Sequence, residues 1–391
     1  MRFPEFEEEW NIKTLGSLSK GIGDGIHATP IYDDNGSYYF INGNNLSERG
    51  INISEATKRV SKEEAYKNNA AILNDRTILL SINGTIGNVA LYNNEPIMLG
   101  KSACFINVSP HINKPYVYHY LQTNKCQTYF KSELTGTTIK NLSLQSVRNA
   151  KIALPSIYEQ NRIAKLLDVI DERIATQSKL IEKLESLIKG IMVELQKQGV
   201  NKGTWKKVFL SDVLTERNER NTNLFQVFSV SVSQGVVNQV DYLGRSFAAK
   251  DTSKYNVVHY GDLVYTKSPT GSFPYGIVKQ SLSLENVAVS PLYGVYKPQS
   301  LAVGAYLHEY FMSEINTHNY LHPLIQKGAK NTINITNQRF LENCVLLPTN
   351  INELLLISKM LRSLNDKFKY QQDTLQKYQK QKKYLLRQMF I

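Results

Sequence analysis

Polar side chains able to hydrogen-bond nucleic-acid bases and phosphates recur in the turn-rich segments of this chain of 391 residues. Asn and Gln can pair with adenine, Arg and Lys with guanine, and Ser and Thr with either, or with phosphate. In the first half the candidates are His27, Thr29, Asn42, Asn44, Asn45, Arg49, Thr85, Lys101, Thr138 and Lys140. In the second half they are Arg217, Arg220, Arg245, Lys267, Ser268, Thr270, Tyr275, Lys330, Asn331 and Thr332.

Any one of these residues could equally be a solvated loop residue or a turn former. Taken as a set, they fall in matching loops of two related halves, which favours a shared binding surface. The net charge of +12 points the same way, because a basic chain attracts polyanions and releases counterions from phosphates.

Sequence signatures of catalysis and of cofactor binding are missing. We find no Gly-rich nucleotide loop, Walker loop, HExxH, GxSxG or Cys/His metal cluster. The sequence therefore predicts a non-enzymatic protein without a cofactor or a metal. Three cysteines without a CxxC pair indicate a reducing cytoplasm. The acidic start of the chain is unlike a signal peptide, and no apolar run approaches the length of a membrane helix.

An internal repeat organises the chain. Similar segments follow one another in the same order at an offset near 190 residues. The matching pairs are Trp10–Leu18 with Trp205–Val213, Asp75–Ser81 with Asp262–Ser268, Thr137–Ser143 with Asn331–Thr336, and Ile152–Pro155 with Val345–Pro348. The conserved order indicates a duplication.

Each repeat ends in a segment with the alternating three- and four-residue spacing of a heptad seam. The first seam comprises Leu167, Ile170, Ile174, Gln177, Ile181, Leu184, Ile188, Ile191 and Leu195. The second has every position 194 residues later and comprises Leu361, Leu364, Phe368, Gln371, Leu375, Tyr378, Lys382, Leu385 and Met389. Lys382, opposite Ile188, is the one clear break. The pattern predicts two long helices of about 60 Å each.

A heptad seam must be buried against another surface. In one interpretation, each helix packs on its own globular domain. In the other, the two helices pair antiparallel about a pseudo-twofold axis. We favour the second interpretation because each helix is longer than one small domain needs. The residues predicted to pair are Leu167, Ile170, Ile174, Gln177, Ile181, Leu184, Leu361, Leu364, Phe368, Gln371, Leu375 and Tyr378. We further expect Gln177 to face Gln371 as a polar layer that fixes the register.

The sequence thus predicts an α+β fold with two mixed α/β domains related by internal pseudo-twofold symmetry and separated by two long antiparallel coiled-coil helices. The expected boundaries are 1–156 for the first domain, 157–198 for the first long helix, 199–349 for the second domain and 350–391 for the second long helix. Within the first domain, Ser61-Lys-Glu-Glu64 predicts a capped helix, and Pro115 predicts the start of a helix running to about Lys131.

Several of these segments resemble the specificity subunits of type I restriction–modification systems. The segment Asp24-Gly-Ile-His-Ala-Thr-Pro30 is similar to a motif of their target-recognition domains. Further resemblances lie at Tyr39–Leu46, Asp75–Ala90, Thr137–Ser143, Ile152–Arg162 and Leu385–Phe390. The second half lacks the Asp-Gly-x-His segment and carries Pro269-Thr-Gly-Ser272 in place of Gly-Thr-Ile-Gly.

The resemblance implies a protein that reads double-stranded DNA without catalysis of its own. Each target-recognition domain would read one part of a split target, and the helices would set the gap between the parts. Two methyltransferase subunits would dock around the helices, and restriction or translocase subunits would join them. S-adenosylmethionine would belong to the methyltransferase, so this chain would hold neither that cofactor nor ATP.

Alternatives remain at this stage. The chain could serve a methyltransferase alone or be an orphan specificity protein. It could also be a nuclease with an unrecognised site, or a coiled-coil adaptor without a role on DNA.

Overall fold

The computed structural model describes residues 2–47, 50–68, 70–136, 140–327 and 333–390. The chain forms two compact units. The first contains Met1–Leu180 and Gln372–Ile391, and the second contains Ile181–Gln371. Both units combine helices with small sheets, and two long helices are present, which confirms the predicted mixed fold class.

The strands of the first unit are short. They are β1 Asn11–Thr14, β2 Ser19–Asp24, β3 Tyr38–Ile41, β4 Leu46–Ser47, β5 Gly50–Ile51, β6 Arg59–Val60, β7 Thr77–Ser81, β8 Val89–Leu91, β9 Ile97–Leu99, β10 Ala103–Val108, β11 Leu134–Thr135, β12 Asn141–Leu142 and β13 Lys151–Leu154. An antiparallel sheet has the order β2-β10-β7-β8. A mixed sheet has the order β6-β3-β9, in which β3 and β9 are parallel, and β1 pairs antiparallel with β13.

The helices that belong wholly to the first unit are α1 Lys62–Lys67, α2 Lys114–Leu121, α3 Asn124–Ser132 and α4 Leu144–Asn149. The predicted cap of α1 is confirmed, because Ser61 Oγ accepts a hydrogen bond of 3.1 Å from the Glu64 amide. The single helix predicted from Pro115 to about Lys131 is wrong. Thr123 takes extended backbone angles and caps a new helix through the Cys126 amide, so the segment forms two helices.

The second unit repeats part of this arrangement. Its strands are β14 Trp205–Phe209, β15 Leu214–Glu216, β16 Phe228–Ser231, β17 Gly235–Asn238, β18 Asn256–Val258, β19 Leu263–Tyr265, β20 Val278–Gln280, β21 Val287–Val289, β22 Gly294–Pro298, β23 Gln326–Lys327, β24 Ile333–Asn334 and β25 Cys344–Pro348. The order β15-β22-β19-β20 matches that of the sheet in the first unit, and β14–β25 matches β1–β13. The duplication therefore extends to the sheet topology.

The short helices of the second unit are α6 Leu210–Val213, α7 Gln239–Leu243, α8 Leu301–Tyr310, α9 Glu314–Leu321 and α10 Asn337–Phe340. The two long helices are α5 Ile157–Asn201 and α11 Ile351–Gln388, and each contributes one segment to each unit. Helix α5 continues three residues beyond the predicted end at 198. Gly199 allows the Trp205 ring to pack directly on the helix, and Gly203, at φ +69°, supplies the left-handed cap that ends it.

A tryptophan ties the first strand of each unit to the start of a long helix. The Trp10 indole donates to the Glu159 carboxylate at 3.1 Å, and the Trp205 indole donates to Glu353 at 2.9 Å. Each indole also meets a tyrosine ring edge-on, at centroid distances of 6.5 and 6.1 Å. These tyrosines are Tyr116 and Tyr306, whose hydroxyls donate to the carbonyls of Ala153 and Leu346. The matching contacts explain why both repeats begin with Trp.

The core of the first unit contains residues from both long helices. Leu167 and Ile170 of α5 share one buried cluster with Leu385 of α11 and with Met389, which directly follows α11. Phe390, just beyond α11, packs its ring 5.3 Å from that of Tyr116 and 5.4 Å from that of Tyr120. Each fully buried apolar side chain of this kind contributes about 1.5–3 kcal/mol. The 372–390 segment is therefore an integral part of the first unit.

Replacement of Tyr306 by Phe tests the tyrosine contact in the second unit. The variant leaves the part-buried Leu346 carbonyl without its hydroxyl donor, so we expect the free energy of unfolding of this unit to fall by about 1–2 kcal/mol. The chain has two tryptophans, one in each unit. In a Trp10→Phe background, the fluorescence of Trp205 during urea unfolding reports on the second unit.

The matched control is Tyr260→Phe in the same background, because the Tyr260 side chain is exposed. It should leave the urea midpoint unchanged. Equal midpoints for the Tyr306 and Tyr260 variants would contradict a stabilising role for the Tyr306 hydroxyl.

Candidate nucleic-acid interface

The Asp24–Pro30 segment of the first unit presents His27 to solvent. Gly25 lies against the Leu99 carbonyl so closely that a β-carbon would meet it at 1.9 Å, which requires glycine at this position. Asp24 Oδ2 lies 2.8 Å from His27 Nε2, and the imidazole is 73% exposed. Thr29 is exposed on the same segment. The Asp-Gly-x-His spacing therefore produces a short loop with an oriented, accessible imidazole.

The neighbouring loop after β3 uses two of its three asparagines for its own structure. Asn45 Oδ1 accepts from the Asn42 amide at 2.9 Å, and Asn42 Oδ1 accepts from the Ser102 hydroxyl at 2.9 Å. Asn44 is exposed and has neither role. Among these predicted site residues, Asn42 and Asn45 therefore position the loop, and Asn44 is the asparagine available to a ligand.

Backbone contacts bring the other loops of the first unit beside this one. Thr85 Oγ1 donates to the Gly43 carbonyl at 2.8 Å, which joins the loop after β7 to the loop after β3. Isolated bridges join Ile26 to Gly100 and Asn83 to Asn141. The loops after β3, β7 and β9 and the segment before β12 thus contact the Asp24–Pro30 segment or each other. The exposed side chains of these loops and of that segment include His27, Thr29, Asn44, Thr85, Lys101 and Lys140. The structure gathers most of the predicted first-half residues at one site.

Five predicted site residues lie outside the described residues. They are Arg49, Thr138, Lys330, Asn331 and Thr332.

In the second unit, the loop between β19 and β20 carries four of the predicted residues. Lys267 has a left-handed backbone at φ +61° and is half-buried, and desolvation lowers the pKa of its ammonium group despite the opposing effect of Glu216. Ser268 is exposed, and Thr270 forms a tight turn with Phe273. Tyr275 lies at the end of the same loop. This loop corresponds to the one that holds Thr85 in the first unit.

Two histidines accompany Tyr275 that the sequence analysis did not single out. The Tyr275 ring lies 5.3 Å from the His318 ring and 6.0 Å from the His322 ring, and the two imidazoles stack 5.1 Å apart. Both histidines are exposed. Their four-residue spacing, which places side chains on one helix face, was the available signal. The three rings form an aromatic cluster with two exposed imidazoles, and exposed aromatic rings are groups on which bases stack.

Arg217 is engaged inside the second unit. Its guanidinium binds the buried Asp262 carboxylate through two hydrogen bonds of 2.6 and 3.0 Å. This pairing raises the pKa of Arg217 above its ordinary value. Asp262 occupies Nε and Nη2, and the Arg217 side chain is only 18% exposed, so its first role is to hold the fold and its base contact stays a prediction.

The remaining arginines lie on other segments of the second unit. Arg220 donates to the Asn256 side chain at 2.6 Å and to the Lys254 carbonyl at 3.0 Å. Arg245 follows α7, is exposed, and lies 4.5 Å over the Phe247 ring. Both arginines lie on segments other than the loop that holds Lys267. The second-half residues are thus less tightly gathered than those of the first half.

The predicted seam residues of the long helices are buried or half-buried. Leu167, Ile170, Gln177, Leu184 and Leu361 are buried, whereas the half-buried positions are Ile174, Ile181, Leu364, Phe368, Gln371, Leu375 and Tyr378. Within the first unit, the two segments run antiparallel, because Asp171 pairs with Lys382 while Arg173 lies over the Tyr378 ring. Gln177 and Gln371 belong to different units, and their pairing stays a prediction.

Among the described residues, none of the helices has the length and hydropathy that a membrane span requires. The same residues include no group of three or more His, Cys, Asp or Glu side chains placed to hold a metal ion.

Comparison with known proteins defines the class of the first unit. Residues 7–186 match the family model described as the type I restriction modification DNA specificity domain. The MjaVIII specificity subunit of a type I restriction enzyme from Methanocaldococcus jannaschii is 28% identical over 200 residues, which are 49% of this chain and 43% of the relative. A putative type I specificity subunit from Mycoplasma pneumoniae is 30% identical over 174 residues, 44% of this chain and 42% of the relative.

Among solved structures, the S subunit of a type I restriction–modification system from M. genitalium shares the fold. It superimposes with a TM-score of 0.65 at 14% identity, covering 100% of this chain and 99% of that chain. Residues 7–186 thus resemble a type I restriction modification DNA specificity domain, and the whole chain shares the fold of a type I S subunit. The sequence matches with the curated relatives span less than half of their length.

The contrast between Arg217 and Arg245 gives a stability test of the site assignment. Arg217→Ala leaves the buried Asp262 carboxylate without its guanidinium, so we expect the second unit to lose about 2–4 kcal/mol of unfolding free energy. Arg245→Ala removes an exposed cation and should change it by less than about 0.5 kcal/mol. Urea unfolding followed by Trp205 fluorescence measures both. Two variants of equal stability would show that the Arg217 pair is not structural.

Proposed function

We propose that this chain is the non-catalytic DNA-reading subunit of a type I restriction–modification complex. In this proposal, each unit reads one part of a bipartite sequence in double-stranded DNA. Methyltransferase subunits dock on the long helices, and restriction subunits complete the assembly. The cofactor and the chemistry of methylation belong to those partners.

The gathering of polar loops in the first unit carries the proposal. His27, Thr29, Asn44, Thr85, Lys101 and Lys140 are exposed on loops that contact one another. Amide, hydroxyl and cationic side chains are the groups that read base edges and bind phosphate. The loops lie within the 7–186 region that matches the DNA specificity domain.

The second unit supports the proposal through a different surface. Its corresponding loop offers Lys267 and Ser268 beside the rings of Tyr275, His318 and His322. A different set of side chains on the same sheet topology is what two readers of unlike half-sites require. We propose that the two units recognise different base sequences for this reason.

The long helices support the bipartite part of the proposal. Helix α5 has 45 residues and α11 has 38, and each takes part in both units. A helix rises about 1.5 Å per residue, so their length sets a fixed separation along DNA. We propose domain roles on the predicted boundaries, with 1–156 and 199–349 as the readers and 157–198 and 350–391 as the spacer.

Substitution of the two exposed lysines in the first unit tests DNA contact. If Lys101 and Lys140 each bind one phosphate, Lys101→Ala and Lys140→Ala should each reduce the slope of log affinity against log salt by about 0.9. The slope is measured by fluorescence anisotropy with duplex DNA that contains the target, using the complex with the methyltransferase subunit.

Lys151→Ala is the matched control, because Lys151 is exposed but lies on β13 rather than on one of the gathered loops. Its slope should equal that of the parent protein. If all three variants retain the parent slope, the gathered loops are not a phosphate-binding surface.

Shortening both helices by one heptad tests their role as a spacer. Deletion of residues 178–184 and 372–378 keeps the phase of the seams and removes about 10.5 Å from each helix. We expect the half-sites to remain the same while the gap between them shrinks by about 3 base pairs, since DNA rises about 3.4 Å per base pair. Sequencing of methylated adenines in cells that co-express the methyltransferase subunit reads both quantities.

The parent chain in the same cells provides the reference. A split methylation motif that depends on the chain supports the proposal. Methylation that is independent of the chain, or a single continuous motif, contradicts it. In that case, metal-dependent cleavage and DNA binding by the chain alone would distinguish a nuclease from an adaptor.

A further inference from the structure

A buried ion pair occupies the one break in the second heptad seam. Lys382 holds a position that is isoleucine in the first seam, yet it is buried in the first unit. Its ammonium group lies 2.7 Å from Asp171 Oδ1 and 2.8 Å from Gln122 Oε1. The lysine is therefore paired and hydrogen-bonded within the packed interface of α5, α2 and α11.

Asp171 is part of a larger polar layer. His119 of α2 is fully buried, and its Nε2 lies 2.8 Å from Asp168 Oδ1. Its other ring nitrogen lies 3.9 Å from Asp171 Oδ2. The first unit thus offers two carboxylates on α5, one bound to the imidazole and the other to the cation that α11 supplies.

The second unit has the same layer with different charges. Tyr116 corresponds to Tyr306 at an offset of 190, so His119 corresponds to Glu309. The long helices α5 and α11 correspond at an offset of 194. Glu309 is buried, lies 3.9 Å from the Arg362 guanidinium and accepts from the Asn365 amide.

The helix positions match residue by residue. Arg362 stands where the first unit has Asp168, and Asn365 where it has Asp171. Acid and base have therefore exchanged sides at the first pair, and at the second a neutral amide replaces the carboxylate. The corresponding residue of the other long helix is Ile188 in place of Lys382.

We propose that this polar layer makes helix packing in the first unit specific. It favours packing of the C-terminal part of α11 and disfavours packing of α5 from a second copy of the chain. The two helices share one seam pattern, so apolar packing alone distinguishes them poorly. Helix α5 would bring Ile188 to the site, which leaves Asp171 without a cation in a largely buried place. The Asp171 side chain is 26% exposed, so losing its cation costs less than in a fully buried pair but still disfavours the wrong helix.

Stability alone does not account for the layer. Well-packed apolar side chains stabilise an interface as well as a buried ion pair does, or better, and the second seam is apolar on either side of Lys382. What the charges add is discrimination between partners that are otherwise alike, because the wrong helix leaves a charge unpaired. The polar layer would thereby prevent two copies of the chain from exchanging their long helices.

Hydrogen–deuterium exchange of the full chain at residues 372–390 tests the proposed role of the polar layer. Lys382→Ile places the residue of α5 in the site, and we expect amide protection of this segment to fall roughly tenfold or more. Lys382→Ile with Asp171→Asn reproduces the neutral pair of the second unit and should restore most of the protection. Lys383→Ile, at the exposed neighbouring position, is the control and should leave protection unchanged.

Charge reversal separates pairing from the loss of a side chain. Asp171→Lys and Lys382→Glu should each reduce protection, and the double variant should recover at least part of it. If Lys382→Ile is as protected as the parent chain, or if neither double variant exceeds its single variants, the first unit does not discriminate by charge and the proposal is wrong.

Discussion

The hydrogen bond from a tryptophan indole to a glutamate in the first turn of each long helix is the contact on which the other features depend. Glu159 is 1% exposed, and a carboxylate so deeply buried must keep its donors. Arg2 supplies two more hydrogen bonds of 2.8 Å to the same group. The contact fixes where the helix begins relative to the β1–β13 sheet. Every seam position further along the helix, and hence every core contact that it makes, is set from this point. Glu353 and Trp205 do the same in the second unit.

Local features of the fold could be predicted from sequence because their causes are local. The heptad spacing predicted the long helices, and Ser61 predicted the cap of α1. The end of α5 was predicted too early because a glycine such as Gly199 usually favours the end of a helix. Here Gly199 remains helical, and its lack of a side chain lets the Trp205 ring pack against the helix. The role of Lys382 could not be predicted either, since a lysine in a seam is typical of a solvated break. Its partner Asp171 is 211 residues away along the chain.

In the candidate site, too, local features could be predicted whereas contacts between distant residues could not. Residue types pointed to the loops as candidates, but did not indicate which side chains face inward. Asn42 and Asn44 are chemically identical, and only the position of the Ser102 hydroxyl decides that Asn42 holds the loop while Asn44 remains exposed. Arg217 could not be distinguished from Arg245 without knowing that Asp262 lies beneath it. The second half lacks the Asp-Gly-x-His motif, and the aromatic cluster of Tyr275, His318 and His322 was recognised only from the structure.

The composition of the first unit has a consequence for how the protein is made. Residues 181–371 are continuous in sequence and can close their core as soon as they leave the ribosome. The first unit is synthesised earlier but lacks Leu385, Met389 and Phe390, which come only after the whole of the second unit. Until residues 372–390 are synthesised, the apolar surface of α5 in the first unit remains exposed and Asp171 lacks its lysine partner. The first unit is therefore begun before the second unit but completed after it.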